Sequence, residues 1–428
     1  MRRFRMARLR LWWERAFWVI PLVGVIGGVV LHELVSEIDE LIVAGGYHEK
    51  LVAAASASQL LGAIGGGMIT FVGFVFSFVV LILQFGSSQY SPRTVSYFLR
   101  ARSTRHILAI FLGTITFTFV SLLDVSSLGR EDFAPNFTVL VAIGLLFVSL
   151  TAFIVLLHSV GSRVRVDAVL TAMGRHARRL LAQGVDAPSN AEPAEGGGTE
   201  PSPEHVLVRS SRSGQTIGID PERLLWAARR HKLSVAVLIQ VGDSVSAGTP
   251  ILRVEGAGTS LPSGVTNALR RAVVVDVERS FRHDPFYALR LLADISVRAL
   301  SPGVNDPTTS VRALDEIEGV LRVAAGSRLG PWRIASGAAR VEGRAPTWRD
   351  VVYLGLLETI TCGSDAPQVS RRLVALFDDL EPDVSESQKV PLAELREELA
   401  GQVRAHGPSA LLSAAALAPD RQGLGGRL

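Results

Sequence analysis

Cysteine is almost absent. Cys362 is the only one in 428 residues, which excludes a disulfide framework and a cysteine-rich zinc site within one chain. Lysine is nearly as scarce: Lys50, Lys232 and Lys389 are the only lysines among 44 basic residues, so arginine supplies the rest. Aromatic residues make up 7% although hydrophobic residues make up 48%, so the apolar excess is aliphatic and small. Catalytic signatures are missing as well. The chain has no Gly-x-Ser-x-Gly, no His-Glu-x-x-His, no Gly-x-x-x-x-Gly-Lys and no paired-cysteine site. The residues therefore predict no enzymatic activity, no bound metal and no cofactor.

What is present is concentrated at the N-terminal end. Mean hydropathy is +0.31, and the excess falls in the first 160 residues or so. Four apolar runs are long enough for the roughly 20 residues of helix that cross a bilayer: Ala16–Val35, Leu60–Phe85, Ile107–Val125 and Phe137–His158. The first follows a basic stretch but has no small-residue cleavage site after it, so it reads as a retained anchor. No Asp, Glu, Lys or Arg occupies the middle of any run, which disfavours a proton relay or coupled transporter. His32 and Glu33 fall near one end of the first run and are expected to be interfacial.

Arginine sets the expected orientation, because short loops rich in Lys and Arg stay on the cytoplasmic side. Arg2, Arg3, Arg5, Arg8, Arg10 and Arg15 precede the first run, and Arg93, Arg100, Arg102 and Arg105 lie between the second and third. The alternate loops hold only Lys50 and Arg130 among seven acids. Both termini are thus predicted to be cytoplasmic in a bacterial plasma (inner) membrane protein. The arginines at that face are expected to meet anionic lipid headgroups, which leaves no case for a nucleic-acid partner.

After the spans the expected order is a basic juxtamembrane helix over 161–185, a flexible linker over 186–204, and a small β-rich unit over 205–264. A mostly helical region over 265–418 and a disordered tail over 419–428 follow. The linker reads DAPSNAEPAEGGGTEPSPE, too polar and too rich in Pro and Gly to bury a core. Val235–Val254 alternates around a Gly-Asp turn and is similar to the hairpin of barrel-sandwich carriers. Those present a lysine at the tip, and none lies between Lys232 and Lys389, so covalent cofactor attachment is not expected. From Pro285 onward helices are predicted at Pro285–Leu300, Pro307–Ala325, Trp348–Cys362, Pro367–Leu380 and Leu392–Ala405.

Two groups of residues are candidate sites. The second run carries a stripe of small and polar residues at helical spacing: Gly66, Thr70, Gly73, Ser77, Gln84 and Ser88. Such a stripe serves either tight helix packing, within a bundle or between subunits, or the lining of a hydrated path. Gly62 and Gly66 form a small-xxx-small pair in the second run, and Gly24 and Gly28 form another in the first. The other group surrounds a helix–turn–helix corner: Arg279, Asp294, Arg298, Ser301, Asn305, Asp306 and Thr308. Asp306 is a natural N-cap and Pro307 suits the first helical position. A capped corner accounts for most of these residues; an anion or cation pocket at the turn is the alternative.

The segments Phe17–Ile26 (FWVIPLVGVI), Gly65–Arg93 (GGGMITFVGFVFSFVVLILQFGSSQYSPR) and Asp294–Val311 (DISVRALSPGVNDPTTSV) resemble, in that order, a bacterial predicted-membrane-protein family, domain of unknown function 2254. The resemblance implies an integral membrane protein with a multi-span N-terminal half and a cytoplasmic C-terminal half; it brings no catalytic residues. The fold class expected is an α-helical membrane domain of four transmembrane helices joined to a cytoplasmic α+β domain. Two functions remain open: an oligomeric, channel-like passive protein with a sensing domain, or a membrane-anchored sensor or scaffold without a pore.

Overall fold

In the computed structural model, residues 18–44, 54–89, 102–127, 136–184, 191–194, 204–277, 284–407 and 409–424 are described. The chain divides into two units, Met1–Arg165 and Val166–Leu428.

The first unit contains four helices, each long and apolar enough to cross a membrane: α1 Val19–Ala44, α2 Ala54–Gln89, α3 Arg102–Ser127 and α4 Asn136–Val164. Helix α3 is central and packs against the other three. The interior is filled by apolar side chains, with Leu61, Met68, Phe111, Phe117 and Leu156 fully buried. Phe71 stands edge-on to Phe111 and Phe153, with ring centroids 5.5 and 4.9 Å away. Small residues bring α1 onto α3. A Cβ added at Gly24 would run into the Ala109 backbone, and one at Gly28 would meet the Gly113 carbonyl. The Gly24/Gly28 pair therefore sets an internal crossing, as small residues do where lipid removes the apolar drive for association.

Helix α1 runs beyond the expected end at Val35 to Ala44. The added residues Ser36–Ala44 include good helix formers such as Glu and Leu, and Asp39 within them is held by the start of α4. The span over α1 becomes Val19–Ile42, which places His32 inside it rather than at its end.

The second unit combines helices with two sheets. Its first helix, α5 Val166–Ala182, buries Val169, Leu170, Met173, Ala177, Leu180 and Leu181 and packs against α8 (Pro285–Ala299) and α9 (Pro307–Ala325). The basic character read in its sequence lies partly in Arg178, which reaches Glu316 of α9 at 2.8 Å. Around α8 and α9 lie α10 Trp348–Gly363, α11 Pro367–Leu380, α12 Glu386–His406 and α13 Ala410–Ala416.

The strands are β1 Glu192–Pro193, β2 His205–Arg209, β3 Gly214–Ile219, β4 Ser234–Val237, β5 Ser244–Val245, β6 Pro250–Glu255, β7 Val273–Asp276, β8 Trp332–Ser336 and β9 Ala339–Gly343. Six of them make a sheet of order β1-β8-β9-β4-β6-β2, and three make a sheet of order β5-β3-β7. Helix α6 Pro221–His231 packs on β8, β9 and β4, and α7 Ser263–Arg270 packs on α6 and β2. The larger sheet thus reaches past the 205–264 segment in both directions. Strand β1 comes from the stretch read as a linker, and the β8–β9 hairpin comes from the stretch read as helical. That hairpin turns through Gly337 at φ +61, a backbone geometry that suits a two-residue hairpin turn. It enters the sheet because β9 runs parallel to β4, burying Ala339 and Val341 in the same core as Val235 and Leu252.

The helix starts follow one device. Asp220, Asp284 and Asp306 each accept the backbone N–H three residues on, and a proline follows each of them, satisfying one orphan donor and pre-setting φ. Helix α12 begins earlier than the expected Leu392, at Glu386, and contains Pro391. A capping box between Ser385 and Gln388 nucleates it, and the Gln388 carbonyl accepts the Trp348 indole N–H at 2.8 Å. Residues 419–424, expected to belong to a disordered tail over 419–428, are placed by Arg421, which donates to both carboxylate oxygens of Asp379 at 3.0 and 2.6 Å.

Candidate functional site

The small-polar stripe lies on the outside of its own bundle. Gly66, Thr70, Gly73 and Ser77 are all exposed, and beyond the helix's own backbone no atom of the described residues lies within 4 Å of where a Cβ at Gly66 or Gly73 would sit. The inward packing of α2 is made one residue away, where Gly65 lies against Phe119 and Thr118 of α3. The hydroxyls of the stripe are folded back on their own helix: Thr70 donates to the Gly66 carbonyl at 3.3 Å and Ser77 to the Gly73 carbonyl at 3.0 Å. Each hydroxyl thereby covers the groove that a glycine opens one turn earlier. The result is a flat, narrow strip of backbone and small side chains, flanked by exposed Ile69, Phe74 and Phe76. Gln84 continues it as an exposed residue. Ser88 belongs to α2, and its side chain lies outside the described residues.

A second group was not legible as a site. Along the C-terminal halves of α1 and α3 and at the start of α4, polar side chains are buried against one another. His32 is 5% exposed and Asp39 2% exposed. The His32 ring nitrogen Nδ1 pairs with the Ser121 hydroxyl at 2.9 Å, and Nε2 lies 3.9 Å from the Asp124 carboxylate. The Ser36 hydroxyl donates to the same carboxylate oxygen, Asp124 Oδ2, at 3.4 Å. Asp39 accepts the Phe137 N–H at 2.9 Å, the Thr138 N–H at 2.9 Å and the Thr138 hydroxyl at 2.6 Å. It caps α4 from a helix that precedes it by nearly a hundred residues, and its negative charge sits at the positive end of the α4 dipole. The sequence signal was the pairing of acids and hydroxyls at the ends of separate runs, which spacing alone does not connect. Deeper in the bundle Thr114 and Ser149 pair at 3.0 Å.

The corner group is held largely by local bonds. Asp306 caps α9, accepting the Thr309 N–H at 3.1 Å and the Thr309 hydroxyl at 2.6 Å. Asn305 occupies the left-handed region at φ +47, and its N–H donates to the Ser301 carbonyl at 2.9 Å. The Ser301 hydroxyl donates to the Arg298 carbonyl at 2.7 Å, and Thr308 accepts from Gln368 at 3.4 Å. Asp294 is directed to Arg290 at 2.8 Å, and Arg290 also grips both oxygens of Glu358 at 2.7 Å. Hydrogen bonding to Glu358 raises the Arg290 pKa above its ordinary value. Arg298 is exposed, and Arg279 lies outside the described residues. Among the described residues, no three His, Cys, Asp or Glu side chains gather as a metal-binding group.

Arginine-to-carboxylate pairs tie together the helices of the second unit. Arg372, 4% exposed, donates to Asp315 at 2.8 Å and also grips Glu318. Arg322 joins Glu318 and Asp383, each at 2.7 Å, and Arg349 forms a two-pronged pair with Glu394. Such forked pairs fix geometry as well as charge.

Comparison with known proteins gives a consistent picture. A family model described as predicted membrane protein (DUF2254) matches residues 14–379. Similar chains include an uncharacterized protein of Mycobacterium bovis and one of Mycobacterium tuberculosis strain H37Rv. Each is 29% identical over 377 residues, which covers 85% of this chain and 71% of the relative. No solved structure matches.

Proposed function

The chain belongs to the DUF2254 family of predicted membrane proteins, and we propose that it works as a homo-oligomer whose copies meet through α2 and form a passive, channel-like path at that junction. The observation that carries this reading is the outward placement of Gly66, Thr70, Gly73 and Ser77. A strip of small residues lets a second helix backbone approach closely, and among the described residues no helix of the same chain covers it. Within one bundle the centre is closed by Phe71, Phe111 and Phe153, so a path needs more than one copy. The proposal places both termini and the second unit in the cytoplasm of a bacterial plasma membrane, with arginines against anionic headgroups. It assigns the protein no enzymatic step. A sensing role belongs to the second unit in this reading.

The aromatic closure of the single bundle also favours a second reading, in which the spans only anchor the second unit as a sensor or scaffold. Flux measurements on the full chain in liposomes separate the two. Under the channel reading Thr70→Leu and Ser77→Leu abolish flux of small ions without altering folding. Flux that persists in both variants removes the stripe from the path.

A further inference from the structure

We infer that the exposed face of α6 is a docking surface for anionic phospholipid headgroups of the bilayer in which the same chain is embedded. Helix α6 turns one face to the sheet, burying Leu224, Ala227 and Ala228. Its other face carries Arg223, Trp226 and Arg230, spaced three and four residues apart so that they line up on the helix surface, with Arg229 beside them. Trp226 is 54% exposed. Among the described residues none of these three arginine side chains has a hydrogen-bond or ion-pair partner. This differs from Arg290, Arg322, Arg349 and Arg372 in the same unit, each of which is paired. The only acid on the helix is Glu222.

Beside this face a groove of about 670 Å³ is lined by Glu222, Leu225, Trp226, Arg229 and Arg230 of α6 and by Ile334 of β8, so two guanidinium groups stand against one carboxylate. A lining of leucine, isoleucine and tryptophan with two arginines against one glutamate matches the chemistry of an anionic phospholipid at the membrane surface. The indole of tryptophan partitions to the headgroup layer. Arginine stems lie along apolar surface while their guanidinium groups reach phosphate, which they can grip with two parallel hydrogen bonds. Charge complementarity selects the occupant, and the four membrane-crossing helices of the same chain keep a bilayer at high effective concentration. The inference does not rest on the oligomeric reading of α2.

The test uses the full chain in nanodiscs whose lipids carry brominated acyl chains, either phosphatidylglycerol or phosphatidylcholine. Both leaflets of a disc are alike, so the result does not depend on which way the chain spans it. The quenching due to Trp226 is the difference between wild type and Trp226→Phe, which removes the contributions of the other five tryptophans. Quenching of Trp226 in phosphatidylglycerol, weak in phosphatidylcholine and lost in Arg223→Ala/Arg229→Ala/Arg230→Ala, is the expected result. Removing one arginine lowers the docked-to-free ratio by about fivefold, from the roughly 1 kcal/mol each basic side chain gains near an anionic surface. Trp226 left unquenched in both lipids, or quenched equally in both, overturns the inference. Hydrogen exchange of α6 that is protected equally in both lipids points to a second copy or another protein and overturns it too.

Discussion

Asp39 of α1 takes two hydrogen bonds from Thr138 at the start of α4, one from the backbone N–H at 2.9 Å and one from the hydroxyl at 2.6 Å. A carboxylate on one helix thus finishes the N-terminus of another. Asp39→Ala leaves the first N–H groups of α4 without a partner in a place that is 2% exposed. The variant is expected to lose about 2 kcal/mol, in the range of a lost N-cap and of hydrogen bonds to a charged group. Thermal unfolding in detergent measures it, and an unchanged midpoint contradicts the capping role.

His32 and Ser121 are expected to be coupled. Their bond joins α1 to α3 in a buried setting at 2.9 Å, so removing either leaves the other unsatisfied. A double-mutant cycle with His32→Ala and Ser121→Ala should give a coupling of about 0.5–3 kcal/mol. Strictly additive losses would show that the pair does not act as a unit.

Glycines on the two sides of the bundle surface behave in opposite ways. Gly24→Leu drives a side chain into the Ala109 backbone and is expected to lower stability by about 1–3 kcal/mol or more. A Cβ added at Gly73 meets nothing within 4 Å among the described residues, the position is exposed, and leucine is the better helix former. The melting temperature of Gly73→Leu in the monomeric state is therefore expected to equal or exceed that of the wild type.

Hydrogen bonding to Arg421 holds the Asp379 carboxyl below the usual carboxylate range. A carboxyl lowered in the folded state contributes stability above its unfolded pKa, about 4, and loses it as pH falls through the lower folded value. The difference in Tm between wild type and Arg421→Ala is expected to be largest near neutral pH and to shrink below about pH 4. A difference that does not change with pH contradicts the pairing.

The parts of this molecule that depend on near neighbours were readable from the residues. Asp306 and Pro307 announce the start of α9, and the four apolar runs announce the four helices. The parts that depend on distant partners were not. Asp39 counts in the sequence as one of the acids of a loop, and its partner Thr138 becomes visible only when α4 is folded beside it. The β8–β9 hairpin reads as a break between helices until β9 finds β4, a pairing across about a hundred residues of chain. Pro391 reads as a helix start because proline is unfavourable inside a helix. The capping box at Ser385 and Gln388 and the Trp348 contact override that preference. The stripe on α2 was visible as a pattern, but periodicity does not tell inside from outside. Only the position of Gly65 against Phe119 and Thr118 shows which side of α2 is taken.

The most direct test of the central claim is the subunit number of the full chain released from lipid nanodiscs, measured by native mass spectrometry for wild type and for Gly66→Leu/Gly73→Leu. The account predicts a closed assembly of three or more copies for the wild type, and dissociation to monomers in the double variant with the monomer's thermal stability retained. A monomeric wild type, or a double variant with the same subunit number as the wild type, would contradict it.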